Sequence, residues 1–172
     1  MTGRAQFGDS TFDQRVPAAV PVAGDPDTAL YYRDIAIASY TKPQIGQLTQ
    51  TVLNVTSYGR LGASVPADAI PVSNPPSDPA AIITTIDPQT GHGVAQAFES
   101  FRARVGLDVV GLAVTEPFWT TVRIAGQPQM VLVEAFERRV LTYNPANPEP
   151  FKVEFGNVGQ HYNRWRYGTV GP

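Results

Sequence analysis

Residues 118–155 decide the fold of this chain, and they read FWTTVRIAGQPQMVLVEAFERRVLTYNPANPEPFKVEF. Runs of β-branched and aromatic residues alternate here with Gly-, Pro- and Asn-rich stretches, which is the pattern of short strands joined by turns. A turn is predicted at Gln127-Pro128, and a rigid polar turn over 144–150. The predicted strands are Thr120–Ile124, Met130–Phe136, Val140–Tyr143 and Phe151–Phe155. The stretch therefore predicts an antiparallel β-meander.

A helix over residues 93–105 is predicted upstream of the meander. Its apolar residues recur at spacings of three and four, which places them on one stripe: Val94, Ala97, Phe98, Phe101 and Val105. Glu99, Arg102 and Arg104 are expected to point mostly outward. A strand at Ala80–Ile86 and a loop over 87–93 come before it. The fold class is thus α+β and mostly β, with one amphipathic helix packed on the sheet and a Pro-rich N-terminal portion.

The first half of the chain is divided by a stretch rich in proline. Five prolines fall within residues 65–79, which predicts a connector between two parts of the chain. The expected organisation is a β-rich N-terminal portion with a short helix (1–64), the connector (65–79), and a C-terminal helix-plus-meander module (80–172). In the first portion, the predicted helix lies at 29–39 and a strand at 48–58.

The composition narrows the functional classes. Only 16% of the residues are charged and the formal net charge is −2, so the basic stripe of a nucleic-acid-binding protein is not expected. The chain has no cysteine, which excludes disulfides and thiolate chemistry. No apolar run approaches the roughly 18–20 residues of a membrane span. The opening residues, MTGRAQFGDS, lack the apolar core of an export signal.

Acidic and histidine side chains are the candidates for catalysis. Glutamates on or beside the predicted strands could face each other about 5–10 Å apart, as in glycoside hydrolysis; they are Glu116, Glu134, Glu137 and Glu154. Nearby cations, such as Lys152 beside Glu154, favour cross-strand ion pairs instead. His92, His161 and Glu134 form a candidate polar site. Neither histidine has metal-ligand spacing, so no catalytic residue, metal or cofactor is predicted.

Aromatic side chains crowd the C-terminal third. Four of them form a candidate ligand platform, on which sugar rings could stack: Trp119, Tyr162, Trp165 and Tyr167. The alternative is that these rings fill the core, since aromatic side chains gain most from burial. Both interpretations stand at this stage.

Several motifs resemble the C-terminal region of uncharacterised secreted proteins from Chloroflexota-type bacteria. The matching residues are Thr115, Glu116, Trp119, Phe136–Arg139, Leu141–Tyr143, Asn147-Pro148, Gly156–Gly159 and His161-Tyr162, with the TGHGVAQAFESF element at 90–101 upstream. The likeness covers most of the chain and is most specific in its last third. The segment RVGLDVVG (104–111) is shorter than in those proteins.

The resemblance implies an extracellular or cell-surface location and a chain that is the C-terminal part of a longer protein. The expected function is a non-catalytic extracellular or cell-envelope module for binding or structure. The alternative is an accessory or catalytic part of a cell-wall or polysaccharide hydrolase. The expected partners are a glycan or cell-wall polymer and other domains of the parent protein.

Overall fold

The computed structural model describes residues 23–25, 44–49, 75–156, 159 and 161. The predicted helix at 29–39, most of the predicted strand at 48–58 and most of the connector lie outside these residues. In chain order the elements are a 3₁₀ helix (Pro79–Ala81), β1 (Ile83–Ile86), β2 (Gly93–Ala95), α1 (Gln96–Val105), α2 (Leu107–Val110), β3 (Phe118–Ile124), β4 (Gln127–Ala135), β5 (Val140–Tyr143) and β6 (Val153–Phe155). Within the described residues the fold is α+β and mostly β.

The four C-terminal strands form one antiparallel sheet in the order β3-β4-β5-β6. Each strand pairs with the next along the chain, as the register pairs Trp119–Leu132, Leu132–Tyr143 and Tyr143–Val153 show. The predicted β-meander is therefore confirmed. Its last strand is shorter than predicted, because Phe151 lies in the turn before β6.

The first turn of the meander lies two residues earlier than predicted. Ala125 and Gly126 both have positive φ, 52° and 76°, as a two-residue type I′ hairpin requires. Gln127 and Pro128 belong to β4, so the prediction of a turn there is wrong. Pro128 pairs with Arg123 next to the pair that closes the turn, where an antiparallel ladder needs no N–H donor.

The main helix begins at Gln96 because residues 93–95 form a strand instead of its first turn. This strand, β2, pairs antiparallel with β1 into a hairpin, which the sequence does not predict. Residues 107–110, just after α1, form the short helix α2. The predicted amphipathic helix is otherwise confirmed, and Gly106 follows its last residue.

The core lies between α1 and one face of the sheet. Phe98 of α1 meets Phe136 edge to face, with ring centroids 6.3 Å apart. Around this contact the buried side chains include Val94, Phe101, Val110, Trp119, Leu132 and Leu141. Burying these large apolar groups supplies the main stabilisation of the fold. No helix in the described ranges is long and apolar enough to cross a bilayer.

Two short stretches of the N-terminal portion contact the C-terminal module. Leu48 forms an isolated antiparallel bridge with Ile82, just before β1. Asp25 donates its backbone N–H to the carbonyl of Arg123, and its carboxylate accepts from the N–H of Gly126 at 2.8 Å. These contacts fasten both stretches to the edges of the helix-plus-meander module.

Candidate functional site

Five ionisable side chains gather beside the β1–β2 hairpin, and we call them the buried polar cluster: Asp87, His92, Arg102, Glu116 and Glu134. Each comes from a different part of the chain. Asp87 follows β1, His92 precedes β2 and Arg102 lies in α1. Glu116 precedes β3 and Glu134 lies in β4. The cluster therefore joins the hairpin, the helix and the four-stranded sheet.

Arg102 and Asp87 form the strongest pair of the cluster. The guanidinium donates two parallel hydrogen bonds to the Asp87 carboxylate, at 2.7 and 2.9 Å, and a third to Glu99 at 2.6 Å. Burial opposes the ionisation of Arg102, but the hydrogen bonds and charges of Asp87 and Glu99 outweigh it and raise its pKa. The Asp87 carboxylate also accepts from the N–H of Ala113 at 2.7 Å. The prediction that Arg102 points outward is wrong.

His92 and Glu116 form a second pair. Nδ1 of His92 donates to Oε1 of Glu116 at 2.9 Å, and the other carboxylate oxygen accepts from the N–H of Gly93 at 3.1 Å. Only 4% of the Glu116 side chain and 16% of the His92 ring are exposed. The pair therefore closes the loop before β2 with hardly any solvent contact.

Glu134 is completely buried, and only one of its two carboxyl oxygens has a hydrogen-bond partner among the described residues. One carboxyl oxygen accepts from the N–H of Ala95 at 3.3 Å, and the other has no hydrogen-bond partner among the described residues. Burial raises the pKa of Glu134 well above the usual glutamate range; the charges of Glu116 and Asp87 add to this, while the Ala95 N–H and the Arg102 charge oppose it. Glu134 is thus held toward its neutral form.

Glu116 and Glu134 both accept hydrogen bonds from backbone N–H groups of β2. Successive N–H groups of a β-strand point to opposite sides, so the N–H groups of residues 93 and 95 point to the same side of β2. That side faces away from β1. Glu116 accepts the first and Glu134 the second. The two carboxyl groups therefore stand where a third strand of the hairpin would otherwise provide acceptors. Because buried backbone N–H groups need acceptors, this role accounts for the burial of the two acids.

The acids take other partners than the cations that the sequence favours. Glu116 binds a histidine, and Glu134 accepts a hydrogen bond from a backbone N–H. Lys152 lies 3.5 Å from Glu149, and its predicted pairing with Glu154 is not formed. Spacing along a strand identified the acids but not their partners.

Two residues of the predicted polar site, His92 and Glu134, lie in the buried polar cluster. Glu116, the partner of His92, is close enough to Glu134 for its charge to raise the Glu134 pKa. His161 is half-buried. Glu116 is predicted as a candidate acid but not as part of this site, and its place just before a strand was the available signal for its contact with His92.

Of the predicted aromatic platform, the structure describes Trp119 alone. Its ring has no exposed surface and lies among Phe98, Leu132 and Leu141 in the core. A buried ring cannot stack on a sugar, so Trp119 does not belong to a surface platform. Tyr162, Trp165 and Tyr167 lie outside the described residues.

A groove opens on the other side of α1, and we call it the α1 groove. Its volume is about 280 Å³, and one wall is the helix face formed by Gln96, Ser100 and Arg104. Glu149, Pro150, Lys152 and Val153 form the other wall, and we call the lining rings of Phe101 and Tyr143 its floor. The volume is at the lower end of the range for ligand pockets, about 300–1,000 Å³. Of the buried polar cluster and the α1 groove, the groove is the one that is open to solvent.

The floor and walls of the groove are held by contacts of their own. The guanidinium of Arg104 lies 5.1 Å from the centroid of the Phe101 ring, a cation–π distance. The Tyr143 hydroxyl donates to Asp78 at 2.8 Å. Burial, with the hydrogen bond to Asp78, raises the pKa of Tyr143 to about 12. The groove is therefore formed by side chains that are already in place.

Neither place is arranged as a metal centre: among the described residues, no group of three or more His, Asp or Glu side chains could hold a metal ion. No family model, curated protein or solved structure matches the chain. The arrangement of the two places is therefore the basis on which a function is proposed.

Proposed function

We propose that this chain is a non-catalytic extracellular or cell-envelope module that binds a glycan or cell-wall polymer in the α1 groove. The observation that carries the proposal is a separation of roles. The acids and the histidine of the buried polar cluster are engaged with each other and with backbone N–H groups. The groove, in contrast, presents the polar side chains of Gln96, Ser100 and Arg104 to solvent. Polar groups placed along an open groove can hold sugar hydroxyls by hydrogen bonding.

The proposed location rests on the sequence resemblance to secreted bacterial proteins. The motifs of that resemblance fall on residues with structural tasks: Glu116 holds β2, and Phe136 packs against α1. Preservation of the same residues would preserve the same hairpin-on-sheet scaffold. The ligand of the module would then depend on residues outside these motifs, such as those that line the groove.

The alternative, a catalytic part of a polysaccharide hydrolase, has one observation in its favour. Glu134 combines a raised pKa with a second carboxylate nearby, as a general acid paired with a nucleophile does. Its closure from solvent argues against this role. Glu134 has no exposed surface and Glu116 is 3% exposed, so a sugar could reach neither without opening the hairpin.

Retention on insoluble polymers tests the proposal. The protein is mixed with cellulose, chitin or purified peptidoglycan, and both the bound fraction and newly released reducing ends are measured. Retention without reducing ends, reduced when Ser100→Trp fills the groove, supports the proposal. Release of reducing ends that Glu134→Gln abolishes would establish the hydrolase alternative. Absence of retention on all three polymers, together with absence of binding to soluble acidic polysaccharides in affinity electrophoresis, would refute binding.

A further inference from the structure

We infer that the α1 groove binds a polysaccharide that carries carboxylates, with Arg104 as the residue that pairs with the sugar carboxylate. This inference rests on the proposed function and names the class of its ligand. Neutral polysaccharides are the competing class, and the charges along the groove distinguish the two.

The charges of the groove do not balance. Lys152 lies 3.5 Å from Glu149, and these two opposite charges offset each other. Arg104 is exposed, and no carboxylate among the described residues lies within ion-pair distance of its guanidinium. Among the described residues that line the groove, one positive charge is therefore in excess, since the Asp78 carboxylate bonded to the Tyr143 hydroxyl is not part of the lining. This exposed charge suits an anionic ligand.

The guanidinium of Arg104 is held in position before any ligand arrives. Its contact with the Phe101 ring, which is itself largely buried, restricts the side chain while the N–H groups stay in solvent. An arginine fixed in this way can form two parallel hydrogen bonds with a carboxylate. Less conformational freedom is then lost on binding.

The helix wall supplies a row of further contacts. Gln96, Ser100 and Arg104 are spaced four residues apart, which places them on one face of α1 about 6 Å apart along its axis. The amide and the hydroxyl can donate to and accept from sugar hydroxyls. The row therefore fits a chain of sugars that lies along the helix with one carboxylate at the Arg104 end.

A nucleic acid fits the same charge less well. Binding to a phosphate backbone relies on many cations at once, whereas the groove offers a single uncompensated one. The formal net charge of the chain, −2, also opposes a polyanion with charges at every unit. Carboxylates that alternate with neutral sugar surface match the groove better.

Polygalacturonate and its methyl ester provide a matched pair of probes, since they share one sugar backbone and differ in whether the carboxyl group is a charged carboxylate or a neutral methyl ester. Affinity electrophoresis with each polymer measures binding of the full chain. We expect the native protein to bind polygalacturonate about tenfold or more tightly than the ester, the size of a charge-assisted contact. A single-stranded oligonucleotide is included and is expected to bind more weakly than polygalacturonate.

Variants of two arginines test whether the preference for polygalacturonate depends on Arg104. Arg104→Met keeps an apolar stem on Phe101 and removes the charge, so it is expected to bind polygalacturonate about tenfold more weakly with an unchanged melting temperature. Arg104→Lys should recover part of the loss. Arg138→Ala removes the same charge from the surface outside the groove and serves as the control.

Each other outcome overturns the inference in a distinct way. Equal binding of polymer and ester, with Ser100→Trp still inhibitory, would leave the proposed binding function intact and refute the acidic ligand. An equal loss of affinity in Arg138→Ala would show that the effect comes from the net charge of the protein and not from Arg104 itself. Tighter binding of the oligonucleotide would assign the groove to nucleic acid. Binding to none of the polymers, neutral or acidic, would refute the proposed function together with the inference.

Discussion

Arg102 and Arg104 lie two residues apart on α1, but their side chains have different environments. Arg102 is 6% exposed and gives two parallel hydrogen bonds to Asp87. Arg104 is exposed, and its guanidinium lies over the Phe101 ring. The difference teaches that residue type does not assign function here. Burial and partners commit the first arginine to the scaffold and leave the second exposed to solvent.

Removal of the buried arginine is expected to have the largest effect. Arg102→Met leaves the Asp87 carboxylate buried without its partner, which should lower the free energy of unfolding by about 3–5 kcal/mol. Urea unfolding measures the change. The matched variant, Arg104→Met, should change the same quantity by less than about 0.5 kcal/mol. Similar losses in both variants would erase the distinction between the two arginines.

The next effect concerns the acid that holds the hairpin. Glu116→Gln replaces the charged acceptor of His92 and Gly93 with a weaker one, so it should cost about 1–3 kcal/mol. Glu154→Gln, on an exposed glutamate of β6, is the control and should be close to neutral. Equal stability of the two variants in urea would show that Glu116 does not support β2.

A smaller effect is expected at the floor of the groove. Tyr143→Phe removes the hydroxyl that donates to Asp78 and leaves the ring packed, so it should cost about 0.5–1.5 kcal/mol. Thermal unfolding followed by circular dichroism measures it. A loss as large as that of Arg102→Met would mean that the groove and the buried polar cluster share one rigid network.

Glu134 should reveal itself by a slope of stability against pH. Its raised pKa means that the folded protein keeps a proton that the unfolded chain releases above the ordinary glutamate pKa. The contribution of Glu134 to stability therefore falls as pH rises from that ordinary value to the raised one. Glu134→Gln should unfold with a flatter pH dependence. Identical curves for the two proteins would show that Glu134 ionises normally.

The meander and the helix could be predicted because their signals are local. Strand residues such as Met130–Phe136 and the spacing of Ala97, Phe101 and Val105 are periodic within a few residues. The position of the first turn was missed, since a Pro128 that needs no N–H partner looks like a turn residue in sequence.

The hairpin and the buried polar cluster could not be predicted, because distant residues create them. Gly93–Ala95 is a strand partly because Glu134 accepts the N–H of Ala95 from 39 residues away. Arg102 is buried because Asp87, 15 residues earlier, meets it. The α1 groove likewise needs the turn at 149–152 and the start of β6 to lie against the helix, and no spacing in the sequence predicts that contact.

The affinity of Glu134→Gln for polygalacturonate, compared with that of Arg104→Met, tests most directly whether the cluster is scaffold and the groove is the binding site. Affinity electrophoresis on the folded variants gives both values. Native affinity in Glu134→Gln, with a loss of about tenfold in Arg104→Met, is the predicted result. A loss confined to Glu134→Gln, with native affinity in Arg104→Met, would contradict it.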